Sequence, residues 1–77
     1  MKGGEILRKW LLEARKEKGM TQLEVANKLD ISEAYYSYIE NGSRQKKMDI
    51  VLAAKLAVVF EMPIEQIIDL EAKEMDT

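Results

Sequence analysis

The chain is predicted to be all-α, a compact bundle of five short helices, on three observations. Apolar residues recur at i, i+3 and i+4 through most of its length, the spacing that gathers side chains on one helical face. Capping and stop residues punctuate that spacing. No segment shows the apolar–polar alternation of a strand, and there are no repeats or low-complexity tracts. The 77 residues allow one domain at most. Its core is small, because a chain of this size buries only about 60% of its unfolded surface.

A first helix is expected from Glu5 to Lys18, with Leu7, Leu11 and Ala14 in one stripe that Trp10 widens. Gly19 ends it, after Arg15, Lys16 and Lys18, cations that suit the negative end of the helix dipole. The second helix opens on Thr21 followed three residues later by Glu24, a capping box. Val25, Ala26 and Leu29 form its buried stripe, and Asp30 takes the left-handed stop position. Ser32 caps a third helix that runs to about Glu40, where Asn41-Gly42 stops it. Two turns do not stand alone, so packing must hold this helix.

Ser43-Arg44-Gln45-Lys46-Lys47 reads as a polar, basic loop. The fourth helix spans Asp49, its cap, to Phe60 and is apolar nearly all round. Such a helix either sits at the centre of a bundle or carries a partner-binding face. Pro63 fits the first position of a fifth helix through Ile64, Ile67, Ile68 and Leu70. The polar stretch from Glu71 to Thr77 is expected to fray. The domain is therefore drawn at residues 1–70, with a tail at 71–77.

Composition excludes several chemistries. There is no cysteine, hence no disulfide, thiolate metal site or cysteine nucleophile, and no histidine, the commonest general base. No nucleophile–base pair, phosphate loop or metal-ligand cluster is present, so an enzyme, a cofactor, a bound metal and a small-molecule ligand are not expected. Met1-Lys2-Gly3-Gly4 leads into charged residues without a long apolar run, which argues against a signal peptide or membrane span and for a cytoplasmic protein. The net charge of −2 is polarised: residues 1–47 hold ten Lys/Arg against seven Asp/Glu, while residues 48–77 hold two against seven. Either the basic end faces phosphate or the imbalance is ordinary scatter.

Two short helices joined by Asp30-Ile31-Ser32 fit a helix-turn-helix. Thr21-Gln22-Leu23-Glu24-Val25-Ala26-Asn27-Lys28-Leu29-Asp30-Ile31-Ser32 resembles the opening of the phage repressor/Cro-type (XRE-like) helix-turn-helix family. Tyr35-Tyr36-Ser37-Tyr38-Ile39-Glu40-Asn41-Gly42 continues the likeness, which extends upstream through Arg15 and Gly19 and downstream to Met62-Pro63-Ile64. The resemblance implies a lambda-repressor-like fold and a sequence-specific, repressor-like regulator that binds double-stranded DNA, inserting the third helix into the major groove. It implies a DNA-binding set that opens with Thr21 and with Gln22, which would contact the DNA backbone and buttress base-reading side chains. Ser32, Glu33, Ala34, Tyr35, Ser37 and Tyr38 would face the groove. Asn41, Ser43 and Arg44 would hold phosphate, with Lys46 and Lys47 following in the loop. Arg15 and Glu40 match a partly buried ion pair.

Read from the residues alone, alternatives stay open. Gln22 is also an ordinary solvated first-turn residue, and a loop charge run is usually just solvated. Tyr36 falls inside with Ile39. Tyr35 and Tyr38 lie nearer the exposed side, where they suit a thymine methyl, a phosphate or a protein contact. Glu33 either accepts from a cytosine amine or serves the helix dipole. Asp30 and Glu61 stand where the family usually has glycine. Leu12, Leu23, Val51, Val58 and Val59 lie beyond the core stripes, either as scattered surface apolarity or as a homodimer face suited to paired half-sites on DNA. The competing function is an antitoxin-like or adaptor module that uses the same scaffold to bind protein.

Overall fold

Five helices follow one another in the computed structural model, which describes residues 8–75: α1 (Lys9–Glu17), α2 (Gln22–Leu29), α3 (Glu33–Asn41), α4 (Ile50–Phe60) and α5 (Ile64–Met75). Among the described residues there is no strand, as expected of an all-α bundle. No described helix is long and apolar enough to cross a membrane. Residues 5–7 of the expected first helix lie outside the described residues. Arg8 stands outside helical geometry (φ −107°, ψ 72°), and α1 begins at the next residue, Lys9.

Three of the helices stop by one device. A residue one or two positions past each turns left-handed: Gly19 (φ 68°), Asp30 (φ 62°) and Glu61 (φ 55°). Its amide and that of the next residue then fold back onto orphan carbonyls, Gly19 on Lys16 and Met20 on Arg15, Asp30 on Asn27 and Ile31 on Ala26, Glu61 on Val58 and Met62 on Ala57. The residue after each turn, Met20, Ile31 or Met62, packs against the core. At the other ends, Thr21, Ser32 and Asp49 accept from the amides of Glu24, Tyr35 and Leu52, and Glu24 returns the bond to the Thr21 amide. Pro63 immediately precedes α5, one position earlier than expected, and its carbonyl accepts from Gln66 and Ile67.

One core joins all five helices: Trp10 and Leu11 from α1, Val25, Ala26 and Leu29 from α2, Tyr36 and Ile39 from α3, Leu52, Ala53, Leu56 and Phe60 from α4, and Ile67 from α5. α2 packs on α3 and α4, α4 on α5, and α1 on α3. α4 is less enclosed than a helix at the centre of a bundle. One side is buried, whereas Ile50, Val51 and Val58 stand 63%, 61% and 77% exposed.

The polar stretch expected as a tail from Glu71 is helical as far as Met75, and residues 76–77 of it lie outside the described residues. The last turn of α5 is docked on the start of α1. Glu71 accepts from Arg8 and Trp10, and Glu74 accepts from the Lys9 amide.

A left-handed backbone strains any residue with a Cβ, by about 1–2 kcal/mol, against about 0.5–1 kcal/mol of extra chain entropy lost by glycine. Asp30→Gly is therefore expected to raise stability by about 0.5–1 kcal/mol in urea unfolding, and an unchanged or lowered midpoint would count against the strain.

Candidate functional site

The inner end of α3 is fixed by a buried carboxylate. Glu40 accepts from Arg15 Nε (2.6 Å) and Nη2 (3.3 Å) on α1, from Gln22 Nε2 (3.0 Å) on α2, and from the Tyr36 hydroxyl (2.7 Å) one turn back on α3. The Arg15 and Glu40 side chains are 13% and 3% exposed. Arg15 also donates to the Met20 carbonyl at 3.1 Å, which ties the α1–α2 turn to the same cluster. Burial on its own would raise the Glu40 pKa, but hydrogen bonds from Arg15, Tyr36 and Gln22 outweigh it and hold the carboxyl below its ordinary value. Burial, then the Glu40 carboxylate, pushes the Tyr36 hydroxyl well above the ordinary phenol range, so it remains a donor.

With its inner side locked, α3 turns Ser32, Glu33, Ala34 and Tyr38 outward. Ser37 is half-buried. Tyr35 is less exposed than the sequence suggested: it packs against the core, and its hydroxyl accepts from Gln45 Nε2 at 3.0 Å. Thr21 is exposed beside half-buried Gln22, whose amide group is spent on Glu40. The link from Gln22 through Glu40 to α3 is a buttress that spacing alone does not reveal.

After α3 the chain turns at Gly42 (φ 83°) into the basic loop. Asn41 Oδ1 accepts from both the amide and the hydroxyl of Ser43, and the Arg44 amide returns to the Tyr38 carbonyl. These amides are thus engaged internally, and the loop's outward donors are the exposed side chains of Arg44, Lys46 and Lys47. The Arg44 guanidinium lies over the Tyr38 ring, 6.0 Å from its centroid, at the limit of a cation–π contact. That contact joins the cationic loop to the exposed face of α3.

Arg8 escaped the sequence reading. It is buried at 3% exposure, and its guanidinium reaches Glu71 and main-chain carbonyls at the end of α3 and in the loop. Its own amide donates to the Glu40 carbonyl at 3.2 Å. A basic residue near the start of a helix carries no signal of burial, and its partner lies 63 residues away. No buried side-chain polar atom among the described residues lacks a partner.

A family profile described as "Helix-turn-helix" matches residues 11–67. The chain belongs to the helix-turn-helix family. The match covers the Arg15–Glu40 cluster, α2, α3 and the basic loop, in keeping with the phage repressor/Cro-type resemblance. Among curated relatives, an uncharacterized HTH-type transcriptional regulator, YqaF of Bacillus subtilis (strain 168), is 47% identical over 51 residues, which are 66% of this chain and 64% of that protein. The chain thus spans under two thirds of that relative's length. No solved structure matches this helix-turn-helix chain significantly.

Because the folded state holds the Glu40 carboxyl below its ordinary pKa of about 4.3, it contributes stability above that value, lost as pH falls further. Glu40→Gln, which leaves Arg15 unpaired, is expected to lose about 3–5 kcal/mol at pH 7. Its stability should also fall less than the wild type's between pH 6 and pH 3. Parallel pH profiles in urea titrations would show that Glu40 does not titrate as stated.

Proposed function

We propose that the protein is a sequence-specific, repressor-like transcriptional regulator that binds double-stranded DNA in the cytoplasm, with α3 entering the major groove. The observation that carries this reading is the single face formed by exposed α3 and the Arg44–Lys47 loop, joined where Arg44 lies over Tyr38. Membership of the helix-turn-helix family and the regulator named among its relatives support it. A two-turn helix locked from inside by Glu40 presents a rigid reading edge. Cations directly after it suit the flanking phosphates.

In this reading Glu33, Ala34, Ser37 and Tyr38 read base edges, with Tyr35 anchoring the helix against the loop. Thr21, Ser32, Asn41 and Ser43 border the backbone, Gln22 buttresses the reading helix, and Arg44, Lys46 and Lys47 neutralise phosphate. The exposed Ile50, Val51, Val58 and Ile68 favour a homodimer on paired half-sites. The same apolar residues and the acidic C-terminal half favour, as a second reading, an antitoxin-like or adaptor module.

Enrichment from a random duplex pool, followed by binding at graded salt, decides between the two. Duplex binding with a steep salt dependence is expected, and its absence would leave only the protein-binding module. Arg44→Ala should weaken binding to every sequence and flatten the log–log salt slope by about 0.9, whereas Glu33→Ala or Tyr38→Ala should change which sequences are retained. Sedimentation should show self-association that half-site duplexes strengthen; a strict monomer binding single half-sites at full affinity contradicts the dimer.

A further inference from the structure

We propose that Arg8 and Glu71 form a positioning clamp that sets the place of Arg44, Lys46 and Lys47 without touching DNA. The clamp rests on the DNA-binding reading above. Arg8 Nε and Nη2 grip the Glu71 carboxylate at 2.6 and 3.1 Å, a two-pronged pairing that fixes the guanidinium plane. The donors left over all go to main-chain carbonyls. Nη1 reaches Ile39 (2.7 Å) and Arg44 (3.4 Å), and Nη2 reaches Gln45 and Lys46 (3.4 Å). Three of these four carbonyls belong to the cationic loop.

That loop needs an external hold. Gln45 sits in the left-handed region at φ 55°, a conformation that persists in a residue with a Cβ only when its surroundings impose it. Arg8 takes the Gln45 carbonyl, while the Gln45 side chain bridges the Tyr35 hydroxyl and the Asp49 amide. The last turn of α3 has no basic residue of its own. Arg8 supplies the cation that its exposed carbonyl end favours, from outside the helix. Trp10 Nε1 donates to Glu71 at 2.8 Å and steadies the carboxylate from the other side. Both clamp residues lie outside residues 11–67, the stretch that matches the family profile. Lysine does not replace Arg8, because a point ammonium cannot hold the fork and the carbonyls together.

The test compares the wild type with Glu71→Gln, Arg8→Lys and Arg8→Gln, in fluorescence anisotropy on one mixed-sequence duplex and on duplexes recovered by enrichment. Binding is measured at graded salt, well below each variant's melting temperature. The variants are expected to bind every duplex about tenfold more weakly, with the salt slope reduced by about 1–2, as when one or two phosphate contacts are lost. The ranking of sequences should not change. Amide resonances of residues 39–47 and the indole resonance of Trp10, the only tryptophan, should move while those of α2 do not. Glu71→Gln keeps the side-chain shape and carries the test where an Arg8 variant unfolds. Folded variants with wild-type affinity and slope, or with an altered sequence ranking, overturn the clamp and leave the DNA reading intact. A wild type that binds no duplex at all overturns both.

Discussion

A carboxylate buried at the inner end of α3, that of Glu40, must be neutralised where it lies, and the groups that do so come from three helices. Isolated in a small core, such a charge is unfavourable by several kcal/mol. Arg15, Gln22 and Tyr36 together satisfy it. The consequence is geometric. α3 is too short to be stable alone, and Glu40 fixes its rotation, so the residues on its opposite side have no choice but to face outward. The outward face of the helix is defined from within.

Arg8 extends the same logic to the end of the helix. The carbonyls of Tyr38, Ile39 and Glu40 would otherwise be orphans at a helix terminus, and they are met by the Arg44 amide, by Gly42 with Arg8, and by the Arg8 amide. One buried cation therefore serves both the helix end and the loop beyond it. Glu71 neutralises that cation and ties α5 to the residue just before α1. Two ion pairs, one from the last turn of α1 and one from just before its start, bracket the last turns of α3. The loop held in this way carries Arg44 over the Tyr38 ring, 6.0 Å from its centroid.

Much of this was legible in the residues, and for local reasons. Thr21 with Glu24, Ser32 and Asp49 announce helix starts through side-chain oxygens that satisfy nearby amides, a relation that spans only three residues. Gly19 and Asp30 mark stops because few residues adopt a left-handed backbone, although Asp30 and Glu61 show that glycine is not obligatory there. The outward set at Ser32–Ala34 was what the family resemblance implied, while helical spacing placed Tyr36 and Ile39 inside and Tyr38 nearer the exposed side. Illegible were the relations that depend on distant partners. Arg8 with Glu71, Trp10 with Glu71 and Gln45 with Tyr35 pair side chains whose types are common on surfaces. Glu71 therefore read as part of a loose tail, and Tyr35 read as more exposed than it is.

The most direct measurement is an amide-resonance titration of the labelled protein with a duplex recovered by enrichment. Shifts should concentrate at residues 21–22, 32–38 and 41–47 and fade across α4 and α5 away from any dimer contact. Shifts confined to the exposed side of α4 and α5, with α3 and its loop unmoved, would contradict a DNA-reading face built on Glu40.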